Sequence, residues 1–190
     1  WDSPEEWTVE CNPATVSADK ARLFCEMGVN RVSMGVQSFD EKLLERLGRI
    51  HSREQVFKSY DILRQAGFDN VNIDLMFAIP TQTMEVWKAT LKEALALETK
   101  HLSCYEVIYE QDTPLYAQLE AGEFDVDEEL ACAMYEELVS TTARAGFVQY
   151  EVANFGKDEG GGDQTRVPSY ACRHNVNYWR GGFYYALGPS

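Results

Sequence analysis

The strongest constraint on the fold is a regular alternation of two kinds of segment along the 190-residue chain. Runs rich in β-branched and aromatic residues, typical of strands, are "WTVECNP", "NRVSMGVQSF", residues 71–78, "HLSCYEVIY" and "FVQYEVANF". The segments between them carry apolar residues three and four positions apart, as amphipathic helices do. Because a helix that joins two strands in this order leaves them parallel, the sequence predicts an α/β fold with a parallel sheet wrapped by helices. A barrel and a doubly wound sheet both fit this order.

Capping residues mark where several of these helices begin and end. Ser17 can cap the first helix and Gly28 can close it, while Ser52 and Gln55 have the spacing of a capping box at the start of another. A longer helix is predicted from about residue 127 to residue 145. Two stretches between these elements are predicted to be exposed, the acidic "YEQDTPLYAQLEAGEFDVDEE" and the glycine-rich "GKDEGGGDQTRVPSYA".

Composition and charge narrow the range of functions. The formal net charge is −14, from 31 acidic and 17 basic residues, which argues against binding to nucleic acid or to an anionic membrane surface. The five cysteines lie far apart without a CxxC pair, and their odd count indicates free thiols in a reducing compartment, the cytoplasm. The sequence contains no run of about eighteen apolar residues, so it predicts no membrane-spanning helix.

Polar residues stand at the ends of the predicted strands. Glu10, Gln37 and Asp74 lie at or near the carboxyl ends of three strands, and residues 105–109 end a fourth. Ligands of parallel α/β sheets bind at this edge, so these residues are candidates for one polar site. Each also has a structural interpretation: a solvated strand end for Glu10, a turn-forming amide for Gln37, and a cap or an ion-pair partner for Asp74.

Asp74 is the most unusual of these residues, because it lies between Ile73 and Leu75 in an otherwise apolar strand. An unpaired buried charge costs roughly several kcal/mol, so Asp74 needs a partner. Arg31 and Arg49 are candidates for that partner. Arg49 also offers a fork-shaped cation that suits a carboxylate or phosphate of a ligand.

The histidines and cysteines do not form a complete metal site by spacing. The segment "CRHNVNYWRGGFYYALG" holds Cys172 and His174, which are ligand types for iron or zinc, but one cysteine and one histidine leave such a site incomplete. Its alternating aromatic residues indicate a strand that packs on a core. His51, a lone histidine near a helix start, is expected to be solvated or to act in capping.

Seven strings occur in the order typical of one protein family: "ECNP", "GVNRVSMGVQSFD", "LGRIHS", "AGFDNVNIDLMFAIPTQT", "HLSCYEVIYE", "GFVQYEVANF" and "HNVNYW". Through these strings the chain resembles the radical S-adenosylmethionine proteins related to oxygen-independent coproporphyrinogen III oxidase, most closely their heme-chaperone branch. The likeness runs over almost the whole chain, and "GVQSFD" and "NIDLMF" are its most specific strings.

The resemblance implies a partial (β/α)6 barrel, open on one side, with a [4Fe-4S] cluster and S-adenosylmethionine at the carboxyl ends of its strands. In the family pattern, Glu10 and Gln37 bind the methionine or ribose part of S-adenosylmethionine. Arg49 takes the cofactor carboxylate, and Asp74 accepts hydrogen bonds from the ribose hydroxyls. The backbone near Ile108 contacts the adenine.

One departure from the family pattern concerns the cluster. These proteins hold it on a CxxxCxxC loop, and that spacing does not occur in this chain. We therefore expect no metal ligands here and a cluster loop outside this chain, with the barrel truncated at its amino terminus. Residues 1–115 are then part of the barrel core, and residues 116–190 hold its last helix and strand and the start of a carboxyl-terminal extension.

The strings "YEVANF" and "HNVNYW" favour the heme-chaperone branch, which binds heme and delivers it to an acceptor hemoprotein. His174 is then a candidate for heme contact, with a hydrogen-bonded structural role as the alternative. The other branch consists of oxidoreductases that decarboxylate coproporphyrinogen III to protoporphyrinogen IX. The sequence leaves open whether the protein is an enzyme and whether it forms a homodimer.

Overall fold

The computed structural model describes residues 4–160 and 167–188, so part of the predicted glycine-rich loop lies outside the described residues. The strands are β1 (Thr8–Cys11), β2 (Arg31–Gln37), β3 (Val71–Phe77), β4 (His101–Glu106), β5 (Phe147–Gln149) and β6 (Asn154–Lys157). A short 3₁₀ helix (Pro13–Thr15) follows β1. The α-helices are α1 (Ala18–Glu26), α2 (Glu41–Arg46), α3 (Arg53–Gln65), α4 (Met84–Ala96), α5 (Pro114–Glu120), α6 (Glu128–Arg144) and α7 (Arg173–Trp179).

The capping signals act as the sequence predicts. Ser17 accepts a hydrogen bond at the start of α1, and Gly28 follows that helix with a φ of +93°, a conformation that glycine adopts without strain. Ser52 and Gln55 form the capping box of α3. The long helix predicted near residues 127–145 is α6, which begins and ends within one residue of those limits.

The strands form one sheet with the neighbour order β1-β2-β3-β4-β6-β5. The first four pair in parallel and in chain order, without the reversal of order that marks a doubly wound sheet. Helices α1, α3, α4 and α6 contribute to one core against the sheet. A parallel sheet with its main helices on one face is the arrangement of a (β/α) barrel. Because β1 and β5 stand at opposite edges, the sheet is not closed, and the described residues form an open, partial barrel.

Side chains of the central strands alternate between an apolar and a polar face. Ile73 and Leu75 of β3 are completely buried in the core shared with the helices. Asn72 and Asp74, at the intervening positions, lie on the opposite face, because successive strand residues point to opposite sides. The apolar flanks of Asp74 therefore belong to the helix layer, and its carboxylate does not.

The segment "FVQYEVANF", predicted as one strand, is two short strands that pair antiparallel, so that prediction was wrong. Between them Glu151 accepts hydrogen bonds from the backbone N–H of Ala153 at 3.0 Å and from the side-chain amide of Asn154, which hold a tight turn. The second strand then pairs antiparallel with β4, so the parallel part of the sheet ends there. The turn was hidden because Tyr150 and Val152 are residue types that strands prefer.

The aromatic segment "HNVNYW" is also not the buried strand that its pattern predicts. It forms α7, which buries none of its residues. Tyr178 and Trp179 are 52% and 63% exposed. Their rings contact each other at a centroid distance of 5.5 Å, and Tyr178 lies 5.9 Å from Tyr184. The aromatic residues therefore form a surface cluster instead of packing on the core.

The acidic stretch forms α5 and a mostly exposed connector that leads to α6. Asp127 ends this connector by accepting a hydrogen bond from the backbone N–H of Leu130, which caps α6. Within residues 4–160 and 167–188, no helix is both long and apolar enough to cross a bilayer.

Replacing Trp87 with phenylalanine is expected to lower the free energy of unfolding by about 2 kcal/mol. Trp87 of α4 is fully buried, and its Nε1–H donates to the backbone carbonyl of Met134 at 2.9 Å. The substitution removes this hydrogen bond and leaves a small void. Urea denaturation measures the change. The same substitution at exposed Trp179 is the control and should change stability by less than about 0.5 kcal/mol; equal effects at the two positions would contradict the packing described here.

Candidate functional site

One cavity of about 730 Å³ lies on the polar face of the sheet. It is lined by residues of β1 to β4, of the loops after α2 and β4, and of α7 with its preceding residue Cys172. The cavity brings together all six residues that the sequence singles out for ligand contact: Glu10, Gln37, Arg49, Asp74, Ile108 and His174. Cavities of this size hold small organic ligands. Which groups of a ligand each residue can bind depends on the hydrogen-bonding capacity that the protein leaves unused.

Asp74 is held by neutral donors and not by a cation. Asn72 donates through Nδ2 to Asp74 Oδ1 at 2.7 Å, and the Ser33 hydroxyl donates to Oδ2 at 3.1 Å. Among the described residues Asp74 forms no ion pair with Arg31 or Arg49, so the ion-pair alternative is wrong. Burial raises the pKa of Asp74, and the hydrogen bonds lower it only in part. Because a carboxylate has about four acceptor positions, Asp74 retains capacity to accept hydrogen bonds from a ligand.

Gln37 ends β2 in a strained backbone conformation. Its φ is +67°, in the left-handed region, which costs a non-glycine residue about 1 kcal/mol or more. The register of β2 against β3 shifts between Gly35 and Gln37, which marks a β-bulge. A Cβ at Gly35 would lie 3.2 Å from Nε2 of Gln37. The bulge and the glycine together direct the Gln37 amide toward the cavity, as bulges beside functional sites commonly do.

The outer rim carries two charged groups that no described residue engages. Arg49 is exposed, and its guanidinium makes no ion pair or hydrogen bond with the part of the chain that the structure describes. The carboxylate of Glu10 is exposed and equally unpaired among these residues. Ile108 lies just beyond the end of β4, is 77% exposed and borders the same cavity. A free guanidinium fork and a free carboxylate at one mouth can bind a ligand that carries charges of both signs.

His174 reaches the cavity from the first turn of α7. Its ring meets the edge of Tyr184 at a centroid distance of 6.1 Å and an interplanar angle of 81°. The imidazole makes no hydrogen bond to any residue within the described ranges. A hydrogen-bonded structural role for His174 is therefore not supported, and both ring nitrogens are available to a ligand.

Sequence reasoning missed the polar network beneath Asp74. Asn72 Nδ2 also donates to the Ser33 hydroxyl at 2.7 Å, and Asn72 Oδ1 accepts from Ser103 at 3.2 Å and lies 2.6 Å from His101 Nδ1. These residues lie on the same face of β2, β3 and β4 as Asp74. The strand period of two could have identified them, because each stands an even number of positions from a polar strand end.

His51 was predicted to be solvated or to act in capping, but it is buried. It is 3% exposed, and its Nε2–H donates to the backbone carbonyl of Val36 at 3.0 Å. Burial lowers the pKa of His51, and nearby Arg49 contributes to the same direction. The neutral ring thus ties the loop that carries Arg49 to the end of β2, a positioning contact that its place in the sequence does not reveal.

The described cysteines do not offer a metal site. No group of three or more His, Cys, Asp or Glu side chains with suitable spacing occurs among the described residues. Burial raises the pKa of Cys11 to about 12, and it raises the pKa of Cys104 further. Metal ligation requires thiolates, so burial opposes the ligand form of both residues.

Replacing Asp74 with asparagine is expected to stabilise the ligand-free protein at neutral pH. Because burial raises the folded pKa above the ordinary value of 3.8, the folded protein binds this proton more tightly than the unfolded chain. Wild-type stability therefore falls as the pH rises from the unfolded pKa through the folded pKa. The stability difference between Asp74→Asn and the wild type should be largest near pH 7 and shrink on acidification, as measured by urea denaturation at several pH values.

Asp69→Asn is the matched control, and its expected effect on stability at neutral pH has the opposite sign. A hydrogen bond from Arg64 holds the pKa of Asp69 below its usual value, so removing this carboxylate should lower stability at neutral pH and lose its effect in acid. A pH-independent difference for Asp74→Asn would show that its carboxyl pKa is not raised.

Relatives with curated names match nearly the entire chain. The heme chaperone HemW of Bacillus subtilis (strain 168) is 36% identical over 184 residues, which are 96% of this chain and 46% of that protein. HemW of Escherichia coli (strain K12) is 35% identical over 183 residues, 96% of this chain and 45% of that protein. "Radical S-adenosyl methionine domain-containing protein 1, mitochondrial" of Mus musculus is 36% identical over 185 residues, 97% and 40% of the two chains. The chain spans less than half the length of these relatives.

Two solved structures share the fold. The coproporphyrinogen III oxidase HemN from Escherichia coli, a radical SAM enzyme, superimposes with a TM-score of 0.72 at 25% identity, and the match covers 82% of this chain and 36% of that one. The Elp3 protein of the archaeon Methanocaldococcus infernus gives a TM-score of 0.64 at 25% identity, with 73% and 32% covered. Both likenesses agree with the open, partial barrel.

The profile of the Radical SAM superfamily matches residues 2–94. This region contains β1 to β3 with their helices, and four of the six cavity residues that the sequence singles out: Glu10, Gln37, Arg49 and Asp74. The resemblance drawn from the sequence strings is thereby confirmed. The chain carries a radical SAM domain over residues 2–94 and is similar to heme chaperones of the HemW type.

Proposed function

We propose that this chain forms the S-adenosylmethionine-binding part of a radical SAM heme chaperone. The observation that carries the proposal is the convergence of an unpaired arginine, an unpaired glutamate, a strained glutamine and a carboxylate with unused acceptor capacity on one cavity. S-adenosylmethionine carries a carboxylate, a ribose diol and a flat base, which are the complementary groups. The activity of the whole protein belongs to the proposal, because the chain spans less than half of its curated relatives.

Each cavity residue fits one group of the cofactor. Arg49 would pair with the cofactor carboxylate, since its guanidinium has no partner among the described residues. The ribose diol would donate to Asp74, which Asn72 and Ser33 already orient. Glu10 and Gln37 would hold the methionine or ribose part, and the adenine would lie along the backbone near residue 108. Donation by the diol favours the ionised carboxyl group, so binding offsets the desolvation that raises the Asp74 pKa.

The [4Fe-4S] cluster requires residues from outside this chain. The described residues do not fit a cluster, because they provide no group of ligands for it, and we infer that the CxxxCxxC loop lies elsewhere in the protein. When a reduced cluster is present, bound S-adenosylmethionine supplies radical chemistry in this superfamily. The residues of this chain bind and orient the cofactor for it.

Asp74→Asn and Gln37→Ala should each weaken S-adenosylmethionine binding by the full-length protein by about tenfold or more, the effect of losing one or two hydrogen bonds to a charged or oriented group. Isothermal titration calorimetry measures the affinity. Because Asp74→Asn is expected to stabilise the empty fold, its weaker binding cannot be attributed to unfolding.

The control for these variants lies in the acidic connector. Residues 120–129 are predicted to have no role in the cofactor site, and Glu128 and Glu129 are exposed at the start of α6. Glu128→Gln with Glu129→Gln should leave the affinity within about twofold of the wild type. Unchanged affinity in both cavity variants would contradict the proposed cofactor site.

Heme binding is proposed from two observations. The named relatives include heme chaperones, and His174 lines the cavity with an imidazole that no described residue engages. A neutral imidazole is a common axial ligand of heme iron. Delivery of heme to an acceptor hemoprotein, assembly as a homodimer and a cytoplasmic location complete the proposal. We also propose that the extension begins after residue 115.

The expected result for the full-length protein is stoichiometric binding of iron protoporphyrin IX, seen as a shifted Soret band, without turnover of coproporphyrinogen III. His174→Ala should alter the band position or weaken binding about tenfold, as loss of an axial ligand does. Tyr184→Phe keeps the ring that His174 contacts and is the control. An unchanged spectrum in His174→Ala would remove this residue from the heme site.

A second candidate function is oxidative decarboxylation of coproporphyrinogen III to protoporphyrinogen IX. It is favoured by the structural similarity to the coproporphyrinogen III oxidase from Escherichia coli. Anaerobic assay of the full-length protein with reconstituted cluster and S-adenosylmethionine decides between the two. Formation of protoporphyrinogen IX over many turnovers would establish the oxidase, whereas heme binding without that product would establish the chaperone.

A further inference from the structure

Arg31 is a buried cation at the inner end of the cavity. It is 4% exposed, yet its side chain lines the cavity together with that of Thr8. Arg31 begins β2 and Gln37 ends it, so the two residues lie about 20 Å apart along an extended strand. Arg31 is therefore remote from the rim, where Arg49 lies beyond the end of the same strand.

The hydrogen bonds around His101 leave Arg31 nearly without partners. Asn72 Nδ2 faces the Asp74 carboxylate, so Asn72 Oδ1 faces His101 Nδ1 at 2.6 Å and that nitrogen carries the proton. His101 Nδ1 therefore cannot accept a hydrogen bond from the Arg31 guanidinium 3.5 Å away. The remaining contact with a described residue, from Arg31 to the Thr8 hydroxyl, is also 3.5 Å long, and Arg31 Nε has no partner among the described residues. Within the part of the chain that the structure describes, the five N–H donors of Arg31 thus share one long hydrogen bond.

No carboxylate within residues 4–160 and 167–188 forms an ion pair with Arg31. Arg31 lowers the pKa of Asp74, but burial outweighs this effect and the pKa is raised. The positive charge of Arg31 also affects two neighbouring groups. Burial lowers the pKa of His101, and Arg31 lowers it further. Burial raises the pKa of Cys172, and Arg31 opposes that rise. A buried charge without a counter-charge is costly. The inner end of the cavity is therefore electrostatically suited to an anion.

We propose that Arg31 forms a second anion subsite at the inner end of the cavity, and that this subsite receives a carboxylate of a ligand other than S-adenosylmethionine. The planar guanidinium can bind a carboxylate through two parallel hydrogen bonds, and the adjacent Thr8 hydroxyl supplies a further polar contact. Because Arg31 and the rim lie at opposite ends of β2, the cofactor carboxylate at Arg49 does not also reach Arg31.

The source of the carboxylate is a separate question from its binding. If the cargo is a porphyrin, the carboxylate is one of its propionates, and this identification rests on the proposed function. A smaller carboxylic acid would use the same chemistry. The subsite itself rests only on the burial of Arg31, its missing partners and its position in the cavity.

The first experiment tests the subsite without heme. Melting temperatures of the full-length wild type, Arg31→Met and Arg31→Gln are compared in sodium propionate and in sodium chloride of equal ionic strength. Propionate should raise the melting temperature of the wild type but not of the two variants. In chloride the neutral variants should melt at the wild-type temperature or up to about 5 °C higher, because they remove an unpaired buried charge. Arg22→Met, which neutralises an exposed arginine, should respond to propionate like the wild type.

The second experiment identifies the source. The wild type should bind iron protoporphyrin IX about tenfold more tightly than its dimethyl ester, because the ester lacks the charged acceptor for Arg31. Arg31→Met should bind the acid and the ester with equal affinity, and its affinity for S-adenosylmethionine should stay within about twofold of the wild type. Equal binding of acid and ester by the wild type, alongside a propionate response, would assign the subsite to a smaller carboxylic acid.

The proposal is overturned if propionate fails to stabilise the wild type, or if both neutral variants melt well below it or fail to fold. Arg31 would then be a structural residue whose counter-charge comes from another part of the protein. A wild type that binds no heme but responds to propionate through Arg31 would refute the proposed function and leave the anion subsite in place.

Discussion

The side-chain amide of Asn72 is the contact on which the polar face of the sheet depends. Its Nδ2 donates to Asp74 and to Ser33, and its Oδ1 accepts from His101 and Ser103. An amide has two donor hydrogens and two acceptor lone pairs, so this side chain is fully satisfied. It joins β2, β3 and β4 through side chains on the face opposite the helices. Without it, Asp74 would lose a 2.7 Å hydrogen bond, and three buried neighbours would lose a partner, each at a cost of about 1–3 kcal/mol.

The sequence predicted the strands, the helices and the residues at the cavity rim better than the residues deeper in the cavity. Chain-order parallel strands and capped helices follow from local period, and Asp74 stood out because it interrupts an apolar strand. Arg31 was not assigned to the cavity, nor His101 to the network beneath it, because a polar residue at the start of a strand does not reveal whether it faces solvent or a barrel interior. The direction that such a residue faces depends on strand curvature and on the position of α7. This helix borders the cavity but lies about seventy residues after His101 in the sequence. The antiparallel turn after β5 was missed because the hydrogen bonds of Glu151 replace the glycine or proline that usually signals a turn.

Two arginines of the same cavity differ in what their environments require. Arg49 at the rim is exposed, so water solvates its charge and the empty state carries little penalty. Arg31 is buried, so water solvates it poorly, and the structure provides one long hydrogen bond. The bulge at Gln37 adds backbone strain to the same face of the sheet. Strain and unpaired charge on one cavity, above a well-packed core, are the pattern expected when stability is lowered locally for ligand binding.

A directed chain of hydrogen bonds connects α7 to the carboxylate of Asp74. The backbone N–H of Cys172, just before α7, donates to the Tyr150 hydroxyl, and this hydroxyl lies 2.7 Å from His101 Nε2. Because burial keeps His101 neutral and its Nδ1 proton faces Asn72, Nε2 accepts from Tyr150. Every donor in this chain points toward Asp74, and bonds aligned in this way polarise one another and favour the ionised carboxyl group. The segment that presents His174 is thus fixed to the same network that orients Asp74, so a shift of α7 must either break these hydrogen bonds or move the Asp74 side of the cavity with it.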